Sequence, residues 1–264
     1  MTDDATTVPT LVATAHESND SGPLLLLGPS LGSDGAILWE LVVPLLRDRH
    51  RIVSWDLPGH GASPATAQPF RLADLADAVA ALLGELGAAT ASHAGVSIGG
   101  GVSLELARRH PDRFPRVALV CSTHRFGGAA WPDPWHERAA LARAQSTSAL
   151  IVSAAQRWFT PESMAEHADP AGRLLHALQE ADDESYALCC EALAAFDAQP
   201  WLGEIGIPVL DVWGDRDETI SRESARTLVA AVPDARLVVV EDAAHLAPVD
   251  RPEAVAAALR EFLA

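Results

Sequence analysis

The segment Ala94-Gly95-Val96-Ser97-Ile98-Gly99-Gly100 constrains this chain more than any other. Ahead of it, Ala91–Val96 reads as a short buried strand. Behind it, Ile98–Arg109 has helical spacing and stops before Pro111. A strand that passes into a helix through one Gly-x-Ser-x-Gly turn holds the Ser in strained backbone and pushes its hydroxyl out above the sheet. Glycine is needed on either side, because side chains there would meet the neighbouring strand and helix. The helix N-terminus behind Ser97 favours negative charge nearby. A glycine-rich helix start without chemistry is the plain alternative, and the strand–turn–helix setting argues against it.

The rest of the chain supplies the sheet that such a turn needs. Strands are expected over Pro9–His16, Leu24–Leu27, Arg51–Asp56, Val117–Cys121, Ile207–Trp213 and Ala235–Val240. Helices are expected over Ile37–Leu46 and Leu72–Leu86, from Arg222, and from Pro252. Leu72, Leu75, Val79 and Leu82/Leu83 form one apolar stripe on the second of these. Strands alternating with helices argue a mostly parallel sheet covered on both faces. From about Thr123 to Leu202 the β-branched runs vanish. Helical pieces, Pro/Gly breaks and four tryptophans, Trp131, Trp135, Trp158 and Trp201, replace them. The expected organisation is a core made of residues 1–122 and 203–264, with residues 123–202 as a helical lid over the C-terminal edge of the sheet.

Composition removes several kinds of chemistry. The formal net charge is -17, with 19 basic against 36 acidic residues. Such a surface disfavours nucleic acid and anionic membranes as partners. Every basic residue is Arg, so a Schiff-base lysine and a Walker A loop are excluded. The three cysteines, Cys121, Cys189 and Cys190, give no disulfide framework and no zinc spacing. No metal and no cofactor is expected. The acidic start Met1–Thr7 lacks the features of a signal peptide, and no apolar run is long enough to span a bilayer. The expected location is the cytoplasm; the sequence leaves the oligomeric state open.

A Ser hydroxyl needs a base, and the base needs an orienting carboxylate. In this strand–turn–helix setting the chain order is Ser, Asp/Glu, His. Of the ten histidines only His245 fits, in a short loop between a strand and the last helix. His60, in a Gly-rich turn, reads as a loop-fixing hydrogen-bonder; His124 and His136 could touch a substrate. Asp215 and Asp217 both follow the strand ending near Trp213. Asp217 is preferred as the orienter, leaving Asp215 to face solvent or pair with Arg216 or a neighbouring Arg. The developing oxyanion needs two N–H donors. Ile98, after the nucleophile, supplies one, and Leu31 in Gly28-Pro-Ser-Leu-Gly32 is expected to supply the other.

Together, Asp56-Leu-Pro-Gly-His-Gly-Ala-Ser63, Gly95-Val-Ser-Ile-Gly99, Gly214-Asp-Arg-Asp217 and Ala244-His245 resemble the α/β-hydrolase superfamily over nearly the whole chain. The chain looks most like the 3-oxoadipate enol-lactonases of aromatic-compound degradation. That likeness rests on Ser30-Leu-Gly32, Ser97-Ile-Gly-Gly100, Trp135-His-Glu-Arg138 and Arg157-Trp-Phe-Thr-Pro161. Pro29 and Pro58 stand where that family commonly has Asn and Arg. The resemblance implies an α/β-hydrolase fold and a cofactor-free Ser97–His245–Asp217 enzyme that opens a small carboxylate-bearing enol-lactone. Ser30, Arg125, Trp135 and Trp158 are the candidate substrate contacts, with Arg138 and Arg157 as further candidates for a substrate carboxylate. Carboxylesterase, thioesterase, perhydrolase and carbon–carbon hydrolase chemistry share these motifs. A slow-turnover ligand-binding protein is the alternative outside the enzymes.

Overall fold

The computed structural model describes residues 8–127 and 134–264. Trp131 and the Met1–Thr7 leader reading lie outside the described residues. Among the described residues, seven strands form one sheet in the order β1-β3-β2-β4-β5-β6-β7. They are β1 (Ala13–Ala15), β2 (Leu24–Gly28), β3 (Arg51–Trp55), β4 (Ser92–Val96), β5 (Val117–Val120), β6 (Val209–Gly214) and β7 (Ala235–Val240). Only the β1–β3 pairing is antiparallel. Leu25, Leu26 and Leu27 are fully buried because helices cover both faces. Burial of each contributes roughly 1.5–3 kcal/mol.

Register decides which loops meet. Gly28 pairs with Gly95, Val96 with Val120, Val120 with Val212, and Gly214 with Val240. The ends of β2, β4, β5, β6 and β7 therefore lie along one edge. The loops that leave them carry Leu31, Ser97, Thr123, Asp217 and His245 in turn.

The helices flanking the sheet are α1 (Gly35–Trp39), α2 (Val43–Leu46), α3 (Leu72–Glu85), α4 (Ile98–Arg109), α10 (Arg222–Ala231), α11 (Ala247–Asp250) and α12 (Pro252–Phe262). The single helix expected over Ile37–Leu46 is instead two short ones. Pro44, near the start of α2, offers no backbone N–H and suits a new helix start rather than a continuation. The first strand is likewise three residues, not eight. α3 buries its predicted stripe, and Asp74 caps it by accepting the Arg71 N–H at 2.8 Å.

Between β5 and β6 the chain makes a helical excursion. It comprises α5 (Pro134–Gln145), α6 (Ile151–Trp158), α7 (Pro161–Glu166), α8 (Ala168–Glu180) and α9 (Asp183–Ala194), with short 3₁₀ turns at Thr147–Leu150 and Gln199–Glu204. Arg143 of α5 binds Glu184 and Glu191 of α9 at 2.7 and 2.5 Å. The excursion leaves and returns at one place. Arg125 and Asp197 form an antiparallel bridge, and the Ala198 N–H donates to the His124 carbonyl at 2.8 Å.

Candidate active site

Ser97 has φ 54° and ψ -114°, a backbone that non-glycine residues rarely adopt. Holding it there costs roughly 1–3 kcal/mol, which the surrounding packing offsets. The glycines make the turn possible. A Cβ on Gly95 would fall 2.1 Å from the Gly99 carbonyl oxygen, and one on Gly99 would fall 2.6 Å from the Pro29 carbonyl oxygen. The Ser97 N–H donates to the Val120 carbonyl at 3.0 Å, and the Ser97 carbonyl accepts from the Ser122 hydroxyl at 2.6 Å. Both ends of the turn are thus anchored to the end of β5.

Ser97 is buried, with only 3% of its surface accessible. The turn lifts it above the sheet, as its motif predicts, but it does not sit at the molecular surface. Helices between β5 and β6 pack close to the neighbouring Gly32 loop, which the local turn could not reveal. Their closeness is measured at Gly32, where a Cβ would come within 2.6 Å of Leu178, 3.3 Å of Tyr186 and 3.4 Å of Trp158.

His245 and Asp217 lie in adjacent loops. The His245 Nδ1 is 2.9 Å from Asp217 Oδ2, and both residues are buried. Asp217 Oδ1 accepts the Thr219 and Ile220 N–H groups at 2.8 and 3.1 Å. A carboxylate held by two backbone N–H groups fixes the ring that donates to it. This leaves His245 Nε2 as the proton acceptor. Asp215 is exposed, as expected of the strand-end residue. Arg216 does not pair with it, however. It binds Asp242 and Glu162 instead, because the turn at Asp217 carries its side chain toward the His loop and α7.

The Ser30–Ser33 loop is a tight turn. The Ser33 N–H donates to the Ser30 carbonyl at 3.1 Å, and Gly32 has φ +81°, as the third residue of a type II turn requires. Ser33 Oγ also accepts the Ser30 N–H at 3.0 Å. Ser30 shapes the loop through its backbone N–H and carbonyl. The Leu31 and Ile98 N–H groups meet no protein acceptor among the described residues. The Gly99 N–H donates to the Pro29 carbonyl at 3.1 Å, tying this loop to the start of α4.

The other predicted contacts separate into two groups. Trp158 is buried, beside Gly32. Trp135 and Arg125 line a cleft of about 360 Å³ with Phe126, Arg138, Thr219 and Ile220, which borders the Asp217 loop. Arg125 is engaged with Asp197 at 4.0 Å. Arg138 lies over the Trp135 ring at 4.8 Å. Among the described residues neither Arg138 nor Arg157 forms an ion pair with a carboxylate. Burial, and then the charge of Arg138, hold the half-buried Arg157 guanidinium below its usual range. Of the histidines, His60 fixes its loop, with Nδ1 2.9 Å from the Pro58 carbonyl oxygen. Burial lowers its pKa to about 4, so the ring is neutral.

Three residues near the site have roles that the sequence does not assign. Tyr186, the single Tyr of the chain, is buried and stacks on His60 at 6.0 Å. Its uniqueness was the available signal. Asp56 accepts the Gly35 and Ala62 N–H groups at 2.8 and 3.0 Å and holds the turn that carries His60. Cys121 continues β5 with φ 47° and offers its thiol to the Ala244 carbonyl at 3.5 Å. Nothing in the local sequence marks that role.

Comparison with known proteins agrees with this layout. The profile of the alpha/beta hydrolase fold family matches residues 23–252. The chain is 34% identical to 3-oxoadipate enol-lactonase 2 of Acinetobacter baylyi, over 88% of this chain and 85% of that one. It is 31% identical to a pimeloyl-[acyl-carrier protein] methyl ester esterase of Aeromonas hydrophila, over 92% and 96%. The enol-lactonase of Burkholderia xenovorans superposes with a TM-score of 0.91 at 32% identity, covering 98% of each chain. A Ser in the strand–helix turn, a His–Asp pair from the later strands and this sheet order all meet in one family: the chain belongs to the α/β hydrolases.

Proposed function

We propose that this protein is a cofactor-free serine hydrolase that opens a small carboxylate-bearing lactone, as an enol-lactonase does. The observation that carries the reading is the 2.9 Å contact from His245 Nδ1 to Asp217 Oδ2, in loops that leave the same sheet edge as the strained Ser97 turn. Residues 123–202 act in this reading as the lid, and the core comprises the segments on either side. In the reaction, Ser97 Oγ attacks the lactone carbonyl while His245 Nε2 takes its proton. The oxyanion rests on the Leu31 and Ile98 N–H groups. The ring C–O bond then breaks, and His245 returns the proton to the leaving enol oxygen. An acyl-enzyme remains; water, deprotonated by His245, releases it. The freed enol ketonises, which draws the reaction forward.

The carboxylate preference is supported by Arg138 and Arg157. Two half-buried cations that repel each other, without an acidic neighbour among the described residues, suit an anion between them. The whole-protein charge of -17 repels such an anion, so local cations must hold it. A simple carboxylesterase is the second reading, supported by the 31% identity to a methyl ester esterase.

Steady-state kinetics on a panel of lactones and esters, with and without a carboxylate, tests both. Enol-lactones with a carboxylate should give the highest kcat/KM, and Ser97→Ala should lose about 10³-fold or more with the fold retained. Equal rates on neutral esters would favour the esterase. A Ser97→Ala variant keeping more than about a tenth of the rate would refute the serine mechanism. One stoichiometric burst followed by arrest would mark a binding protein.

A further inference from the structure

We propose that Asp250 is a positioning residue for His245, tying the loop that carries the imidazole to the inserted helices. The proposal rests on the reading of His245 as the base. Asp250 ends α11 and is 1% exposed. Its Oδ2 accepts the Ala244 N–H at 2.7 Å, one residue before His245. Its Oδ1 faces the Thr160 N–H at 3.4 Å. Thr160 is the N-cap of α7, so one carboxylate spans the His loop and the excursion.

The neighbouring amides follow the same pattern. The His245 N–H points to the Arg157 carbonyl at 3.4 Å, and the Leu246 N–H donates to the Trp158 carbonyl at 2.9 Å. Three successive amides of the His loop are thus held by Asp250 and by the end of α6. The Cys121 thiol holds the Ala244 carbonyl from the sheet side. A buried carboxylate is costly unless its acceptors are used. Here they are used on backbone that sets where the His245 ring stands. Asp250 acts through that backbone and does not touch Asp217, the imidazole's partner. The arrangement also places Arg157 and Trp158, both candidate substrate contacts, on the far side of the same tether. Base and lid are thereby positioned together.

Asp250→Asn keeps the shape but replaces one acceptor oxygen by an NH₂ that faces an N–H donor. Misplacing a catalytic group by about 1 Å costs on the order of 10²-fold. Asp250→Asn should therefore lower kcat about 10- to 100-fold, with a smaller rise in KM from the loosened segment of Arg157 and Trp158. The low-field NMR resonance of the His245 Nδ1 proton should broaden or vanish while circular dichroism still reports a folded chain. An unchanged kcat, or a lost kcat with that resonance intact, would overturn the proposal.

Should Asp250→Asn not fold, hydrogen exchange on the unsubstituted protein decides. The Ala244 and Leu246 amides should exchange as slowly as those of β6, and exchange at the rate of open loops would overturn the tether. Ser97→Ala separates the two readings. If Ser97→Ala is inactive and Asp250→Asn is fully active, the tether alone fails. If Ser97→Ala is active, the serine reading fails first.

Discussion

Gly99→Ala isolates the link between the nucleophile's helix and the oxyanion loop. The new Cβ would stand 2.6 Å from the Pro29 carbonyl oxygen and 3.0 Å from the Gly28 carbonyl carbon. Both are backbone atoms at a strand end, so neither can swing away as a side chain would. Ordinary carbon contacts need about 3.5–4.0 Å, so the Pro29 loop must retreat by roughly 0.5–1 Å. That retreat stretches the 3.1 Å bond from the Gly99 N–H to the Pro29 carbonyl. It also carries the Leu31 N–H away from Ile98. Oxyanion donors act within about 2.7–3.1 Å, and losing one costs about 10²–10³ in kcat, or 2.7–4 kcal/mol.

The expected result is a kcat about 10²-fold lower with a much smaller change in KM. Gly172→Ala is the matched control. It lies in α8 with nothing within 4 Å of its added Cβ. There the substitution should only gain helix propensity, up to about 1 kcal/mol, and leave kcat alone. Stopped-assay kinetics on an activated ester and thermal melts of both variants provide the comparison. A Gly99→Ala enzyme within about threefold of the original kcat would refute the coupling of loop to helix.

Asp217→Asn should cut kcat on the order of 10³–10⁴-fold by leaving His245 in the wrong tautomer, whereas Asp215→Asn should keep most of it. Single-variant kcat values decide between the two aspartates, and the reverse outcome would reassign the orienter. Asp211, in β6, is fully buried with neither carboxyl oxygen hydrogen-bonded among the described residues, and burial pushes its pKa up. The folded chain therefore holds a proton there that the unfolded chain releases above about pH 3.9. Its contribution to stability falls as pH rises from that point toward the folded pKa. The stability advantage of Asp211→Asn should grow by about 1.4 kcal/mol per pH unit over that window. Denaturant unfolding at several pH values measures it, and an advantage independent of pH would refute the reasoning.

The sheet was legible wherever short apolar runs sat between glycine or proline breaks. β4, α4 and β7 lie within a residue of where the pattern places them. Such runs carry local information, since strand and helix periods are set by neighbours in sequence. The Ile37–Leu46 segment shows the limit, because an apolar stripe persists through a break that Pro44 makes. At the candidate site, motif and chain order point to Ser97, Asp217 and His245, and the structure brings the last two into contact. The burial of Ser97 was not legible, and neither was the packing of Trp158, Leu178 and Tyr186 against Gly32 in the neighbouring loop, because those side chains arrive from far along the chain. Arg138 and Arg157 stood out by charge alone. Their shared isolation from carboxylates among the described residues, and Tyr186 beside them, are properties of packing that no spacing rule encodes.

The bridge from Arg125 to Asp197 gives the helical excursion the character of a cassette. Its two ends are pinned together, with the Ala198 N–H on the His124 carbonyl, before the chain re-enters the sheet at β6. A segment closed in this way transmits little of its own length or sequence to the strands. Doubling a closed loop costs only about 0.6 kcal/mol in chain entropy. Helices between the pins can therefore be exchanged, shortened or redesigned while the ends of β5 and β6 stay where they are. Altered substrate range then becomes a matter of grafting between two fixed residues, with the backbone of residues 157–160 that holds the His245 loop kept in place, rather than of rebuilding the sheet.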